Sequence, residues 1–215
     1  PDARLGEEVR SELDIPDDAF AVAMVARRDP MKDHETFIKA IDQIPDAIGI
    51  LPGKGTGGLP DQPNLRRLGV REDIERIYAA CDIVCLCSSF GEGFPNVLVE
   101  GMAAGLAPVA TDVGDCARII GDAGEIVPPR DVEAFAGAVG NLIRLGSEKV
   151  VERGVIARQR IEAEYALERA VENFDSVYRE VDRDEVSIYR SRPILAVSSA
   201  VVSRLAAFGA LIAAA

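Results

Sequence analysis

Two carboxylates flanking a glycine-rich turn are the residues of this chain best suited to do chemistry. Glu92 and Glu100 stand with seven residues between them in the run Ser88-Ser89-Phe90-Gly91-Glu92-Gly93-Phe94-Pro95-Asn96-Val97-Leu98-Val99-Glu100. The run joins an apolar, strand-like segment (Ile83 to Cys87) to an apolar, helix-like one. Proline suits the first helical position, where its missing N–H has no intrahelical partner to lose. With Pro95 there, the next free backbone N–H groups and the positive end of the helix dipole face the turn, ready for phosphate or another anion. Glu100 then falls more than a turn into the helix, among Val97, Leu98, Val99 and Met102. A carboxylate in such company loses hydration and needs donors in compensation. The hydroxyls of a sugar or ribose supply them. On local chemistry alone, an arginine from elsewhere in the chain does so equally well.

The elements that must position these residues alternate. Strand-like apolar segments are predicted at 19–26, 47–51, 82–87, 107–111 and 125–127. Helical spacing is predicted at 34–44, 73–80, 95–104, 131–145, 148–164 and 167–180. Continuous apolar strands alternating with helices give an α/β fold: a Rossmann-like parallel sheet with helices on both faces, followed by C-terminal helices. Ligands of such sheets bind beyond the carboxyl ends of the strands. The loops after Ala26, Leu51 and Cys87 leave strands at that end, and these three carry glycine, charge or both.

Bulk composition narrows the partners. The 215 residues carry a net charge of −12, and the isoelectric point is near 4.6. A polynucleotide binder needs a basic face, so nucleic acid is excluded as a partner, whereas a small phosphorylated ligand needs only a few local cations. The four cysteines, Cys81, Cys85, Cys87 and Cys116, lack zinc-ribbon spacing and have a single histidine, His34, for company. They read as core thiols in a reducing cytoplasm, with no metal bound. No signal peptide opens the chain, and its first residues look like the continuation of something upstream. From Pro193 to Ala215 the sequence is almost wholly apolar, interrupted by serines and Arg204. That length approaches a membrane span, but a central arginine costs about 2.5–3.5 kcal/mol on insertion, so membrane contact through this tail competes with packing against a missing part of the protein and with a disordered or aberrant end.

Five short motifs stand in order along the chain: Val25-Ala26-Arg27-Arg28-Asp29-Pro30-Met31-Lys32, Leu68-Gly69-Val70-Arg71-Glu72-Asp73-Ile74, Tyr78-Ala79-Ala80-Cys81-Asp82-Ile83, the run from Glu92 to Glu100, and Gly105 to Gly114. Together they resemble the C-terminal, nucleotide-sugar-binding domain of family 4 (group 1) glycosyltransferases. The GT-B architecture of that family sets two Rossmann-like domains across a cleft. The resemblance covers roughly residues 14–180 and implies a role for each matching position. Arg27 and Lys32 match the basic pair that holds the donor diphosphate and offsets charge growing on the leaving nucleotide. Arg28 stands where the family usually has an apolar residue, which leaves open which arginine points inward. Glu92 matches the carboxylate near the transferred sugar, and Glu100 the one that accepts from the ribose diol. Gly93, Phe94, Pro95, Asn96 and Val97 match the turn whose N–H groups face the diphosphate or the sugar. Val70 and Arg71 lie where the base is held. Gly53 and Gly55 fit a Gly-x-Gly turn that lets ligand approach backbone. As solvated loop charges and a plain flexible turn, Arg27, Lys32 and the 53–58 glycines have simpler readings as well.

The resemblance further implies a metal-independent, retaining enzyme whose donor substrate, a nucleotide diphosphate sugar, takes the place of any cofactor. Asp182-Arg183-Asp184 has Asp-x-Asp spacing but ends a helix instead of following a strand, and reads as surface charge. The family's N-terminal, acceptor-binding domain is not in this sequence. Residues 1–13 therefore read as a linker remnant, 14–180 as the donor domain and 181–215 as a tail. Expected partners are the donor, a glycan, lipid-linked or small-molecule acceptor, and an acceptor domain in cis or trans, in the cytoplasm or at the inner face of its membrane. A non-catalytic sugar-nucleotide-binding or interaction module is the competing reading. A redox Rossmann domain is disfavoured because no Gly-x-Gly-x-x-Gly follows the first strand.

Overall fold

A computed structural model describes residues 3–166, 169 and 171–180 of the protein. The apolar runs pair into a six-stranded sheet made of β1 (Phe20–Ala23), β2 (Ala47–Pro52), β3 (Leu65–Gly69), β4 (Ile83–Leu86), β5 (Ala107–Thr111) and β6 (Glu125–Val127). Every pairing is parallel, and the order is β3-β2-β1-β4-β5-β6. Each residue of β2, β4 and β5 is buried, as a central parallel strand covered on both faces must be. The edge strands β3 and β6 are only partly covered.

Seven helices cover the sheet among the described residues: α1 (Ala3–Glu12), α2 (His34–Asp42), α3 (Ile74–Ala79), α4 (Asn96–Ala103), α5 (Cys116–Ile120), α6 (Val132–Arg144) and α7 (Ser147–Glu164). Strand side chains alternate between faces. Val22, Leu51, Cys85 and Val109 meet Phe37 of α2 and Phe135 of α6 on one side. Val84, Leu86 and Ala110 meet Leu98 and Met102 of α4, Ile119 of α5 and Ala157 of α7. Val9 of α1 and Ile77 of α3 join Ala21, Ile48 and Ile50. Phe37 and Phe135 are fully buried; truncating either to alanine costs about 3–5 kcal/mol.

Several local features differ from the sequence expectation. The strand β3 was not foreseen: Arg66 and Arg67 break its apolar pattern, yet both spend their guanidinium groups on nearby carbonyls, Arg66 on Leu13 at 2.6 Å and Arg67 on Leu59 at 2.6 Å. The apolar run to Ala26 outlasts β1, because beyond Ala23 it bonds only on the β2 side, Met24 N–H to Ile50 O and Ala26 N–H to Pro52 O. Residues 3–12, expected as a linker, form α1 with Val9 buried. Pro95 is the cap of α4 and not its first helical residue, with φ −77° and ψ 95°.

The chain divides into two compact units, Pro1–Ala166 and Leu167–Ala215. In the second, residues 169 and 171–180 are helical. The Asp-x-Asp run and the apolar tail lie outside the described residues. No helix among the described residues is long and apolar enough to cross a membrane.

The order 3-2-1-4-5-6 reverses direction between β1 and β4. In open α/β sheets this switch point opens a crevice outside the carboxyl ends of the strands. The loops after β1 and β4, which carry Arg27, Lys32 and Glu92, border it.

Candidate functional site

A cavity of about 400 Å³ opens at the carboxyl ends of β1, β2 and β3 and reaches the first turn of α4. Arg27, Lys32, Gly53, Val70, Arg71 and Val97 line it. Val25, Ala26, Pro52, Lys54 and Ile74, to which the sequence assigns no site role, complete the wall. Lys54 was legible as the charge between two glycines of the loop after β2.

The loop after β1 is built to aim its cations. Asp29 caps a single 3-10 turn, Pro30–Lys32, by accepting the Met31 N–H at 2.9 Å. That backbone contact, helped by Arg27, holds the Asp29 carboxyl below its usual range. Arg27 rests on Asp29 at 3.3 Å with its side chain 63% exposed, so its guanidinium is easily recruited by a ligand. Arg28 turns away and donates to Gly58 O at 3.1 Å. The arginine facing the cavity is thus Arg27. Gly53 has φ +149°, and a Cβ there would fall 1.9 Å from the Ala26 carbonyl oxygen, so only glycine lets the β2 loop close against the β1 loop. Gly55, two residues on, also has positive φ but does not line the cavity.

The loop after β4 is tied to the first. Ser89 N–H donates to Met31 O at 2.8 Å. Lys32 Nζ donates to Glu92 Oε1 at 2.5 Å, with the two side chains 14% and 8% exposed. Ser88 Oγ donates to the same oxygen. From below, the loop after β5 supports this turn: Asp115 N–H donates to Gly93 O at 3.1 Å, and Gly114, with φ +55°, passes so close that a Cβ would lie 2.3 Å from Glu92 O. Neither Ser88 nor Gly114 was assigned a role from the sequence.

The other expected residues are more spread. Gly93, Phe94 and Asn96 are exposed at the turn, while Pro95 is buried. The Phe94 ring lies 5.6 Å from that of Tyr165. Glu100 is exposed, a correction to the desolvated carboxylate expected above: the buried face of α4 is Leu98, Gly101 and Met102, and Glu100 points away from it. No ion pair reaches Glu100 among the described residues; its partner is the Tyr78 hydroxyl, 3.5 Å from Oε2 and 3.2 Å from Val97 O. Burial, and then the neighbouring Glu100 charge, push the Tyr78 phenol above its usual value. Arg71 borders the cavity, but its guanidinium is already held by Asp73 at 2.7 and 2.8 Å and by Glu12 at 2.7 Å. These carboxylates raise its pKa further, Asp73 most. Among the described residues, no three or more His, Cys, Asp or Glu side chains cluster so as to hold a metal ion.

Chemically, the cavity offers three cations (Arg27, Lys32 and Lys54), with Glu92 held on Lys32 beside it, and an apolar lip formed by Val70, Ile74 and Val97. Such a set suits a ligand with a multiply charged anion, a hydroxyl-rich part and a flat ring.

The family model for glycosyl transferases group 1 matches residues 19–144. The D-inositol 3-phosphate glycosyltransferase of Mycobacteroides abscessus is 29% identical over 152 residues, which is 62% of this chain and 34% of that protein. The chain spans about a third of the length of the curated relatives it matches. A glycosyltransferase from Rickettsia africae shares the fold with a TM-score of 0.74 at 21% identity, covering 84% of this chain and 52% of that one. HepE of Anabaena, solved with UDP and glucose, gives 0.66 at 24% identity over 80% of this chain and 52% of its own. The C-terminal domain of LpcC, a group 1 family protein from Francisella tularensis, gives 0.63 at 21% identity, over 78% of this chain and 94% of that one.

Proposed function

This chain belongs to the group 1 glycosyl transferases, and from that premise we propose that it is the donor-binding half of a retaining, metal-independent glycosyltransferase. Its substrate is a nucleotide diphosphate sugar. The observation that carries the reading is the placement of Arg27 and Lys32 on one wall of the switch-point cavity with Glu92 held beside them. Bond cleavage at the anomeric carbon leaves a nucleoside diphosphate whose negative charge grows as it departs. Cations fixed at that point stabilise the transition state more than the ground state. Here Arg27, Lys32 and Lys54 supply the charge that a divalent ion supplies elsewhere. Glu92 accepts from a hydroxyl of the transferred sugar. Exposed Glu100 accepts from the ribose diol, and Val70 and Ile74 give the base an apolar seat.

Similarity to HepE, which was solved with UDP and glucose, and to the C-terminal domain of LpcC supports the donor-half reading. The acceptor is a glycan, a lipid-linked glycan or a small molecule held by an N-terminal domain in cis or trans. Transfer needs both walls to bring acceptor oxygen against the anomeric carbon. The proposed location is the cytoplasm, where free thiols such as the buried Cys85, Cys87 and Cys116 persist.

Calorimetric titration with UDP-, GDP- and ADP-sugars tests the proposal. Binding of one series, weakened in Arg27→Ala, supports it and names the base; no binding to any opposes it. Adding an acceptor domain in trans then separates enzyme from binding module, since only the enzyme forms glycosylated product.

A further inference from the structure

We infer that Ser88 is the positioning residue for the sugar-facing carboxylate, holding Oε1 of Glu92 so that Oε2 is presented to the transferred sugar. The inference rests on the reading of the cavity as a donor site. Ser88 lies two residues past the end of β4 and is fully buried. Its carbonyl is fixed by the hydroxyl of Thr111, which is also fully buried, at the end of β5 at 2.6 Å. The Ser88 backbone is therefore anchored to two central strands, and its hydroxyl points along the loop to Glu92 Oε1. Lys32 Nζ reaches the same oxygen. Among the described residues Oε2 has no hydrogen-bond partner, so one carboxylate oxygen is pinned twice while the other is left to accept.

The two donors to Oε1 differ in what a ligand does to them. Lys32 also lines the cavity, and its charge is drawn toward a bound diphosphate. Glu92 then loses part of its ion pair at the moment its orientation matters. Ser88 is neutral, buried and outside the cavity lining, so a phosphate does not compete for it. It keeps the carboxylate in place while Lys32 moves to the anion. Fixing a catalytic side chain through a rigid neighbour of this kind is how sites retain geometry through a charge rearrangement.

A double-mutant cycle on the full chain tests this, using Ser88→Ala, Glu92→Gln and the double variant. The probes are UDP-glucose with UDP, and GDP-mannose with GDP, titrated calorimetrically. Ser88→Ala is expected to weaken the sugar nucleotide about tenfold, the cost of a lost charge-assisted hydrogen bond, and to leave the nucleoside diphosphate within about twofold. In the Glu92→Gln background it is expected to add less than about twofold, because Ser88 acts through Glu92. Unchanged sugar-nucleotide affinity, equal loss for nucleotide and sugar nucleotide, or full additivity overturns the proposal. If Ser88→Ala does not fold, Ser88→Cys, a weaker donor in the same place, takes its position in the cycle. If the wild-type chain binds no probe, the donor-site reading fails first. Crystals of ligand-free Lys32→Met and Lys32→Met/Ser88→Ala then decide the positioning claim on its own. A Glu92 carboxylate that keeps its place in the single variant and loses it in the double supports it; one that keeps its place in both overturns it.

Discussion

Lys32 and Glu92 form an ion pair at 2.5 Å across the crevice between the β1 and β4 loops, with both side chains largely withdrawn from water. Removing one partner of such a pair strands the other charge, at a cost of about 3–5 kcal/mol, whereas replacing both with apolar groups is often nearly neutral. Because both side chains keep some contact with solvent, Lys32→Met is expected to destabilise the chain by about 3 kcal/mol in urea unfolding. Lys32→Met/Glu92→Leu should recover more than half of that loss. A double variant as unstable as the sum of its singles would mean that the pair is not coupled.

His34 gives the chain a pH dependence near neutrality. Neither ring nitrogen has a hydrogen bond of good geometry, and burial holds the imidazole below its usual value against the weaker pull of a poorly aligned contact with the Ala26 backbone. Arg28 and Lys32 push the same way as burial, and Asp33 opposes. The unfolded chain therefore takes up the proton first as pH falls below about 6.5, and stability is lost from there downward at up to about 1.4 kcal/mol per pH unit. Urea midpoints should fall between pH 7.5 and 5.5, and His34→Leu should flatten that fall. An unaltered slope in His34→Leu would assign the effect to other groups.

The thiols should be nearly silent. Burial pushes the Cys116 thiol up to about 11 and those of Cys81, Cys85 and Cys87 higher still. Thiolate is the reactive form. Ellman's reagent at pH 8 is expected to titrate at most one thiol in the native chain, half-buried Cys81, and all four after unfolding. Rapid native reaction of three or more would contradict the packing of β4.

Gly114 links the loop after β5 to the carboxylate turn. With φ +55° and a would-be Cβ 2.3 Å from Glu92 O, Gly114→Ala must displace the turn or strain the loop. The expected loss is about 1–3 kcal/mol of stability, together with weaker sugar-nucleotide binding. A variant with native melting temperature and native affinity would show that the close approach is dispensable.

Much of this architecture is written in local sequence, and its limits are physical. The runs at Val22, Ile48, Val84 and Val109 are continuous because central parallel strands are buried on both faces, so β1, β2, β4 and β5 are readable. The edge strand β3 is not, since only one of its residues is buried and two of the others are arginines. Glycine and charge in the loops mark the end of the sheet where a ligand sits. Which side chains converge there depends on tertiary contacts that no local pattern encodes. Arg27 faces the cavity and Arg28 does not because of a carbonyl in the 56–58 turn. Arg71 is bound by Glu12, 59 positions away in the chain. Glu100 faces water because the buried stripe of a short helix is too narrow to include it. Tyr78 acquires its partners only when α3 lies beside α4, and Ser88 only when the turn after β4 has formed.

The most direct measurement is a crystal structure of this chain soaked with the sugar nucleotide that calorimetry selects. Diphosphate oxygens are expected within hydrogen-bonding distance of Arg27 and Lys32, a sugar hydroxyl on Glu92 Oε2, and the ribose diol on Glu100. A nucleotide seated away from the ends of β1 and β4, or a diphosphate that leaves Lys32 and Arg27 untouched, would rule out this donor site.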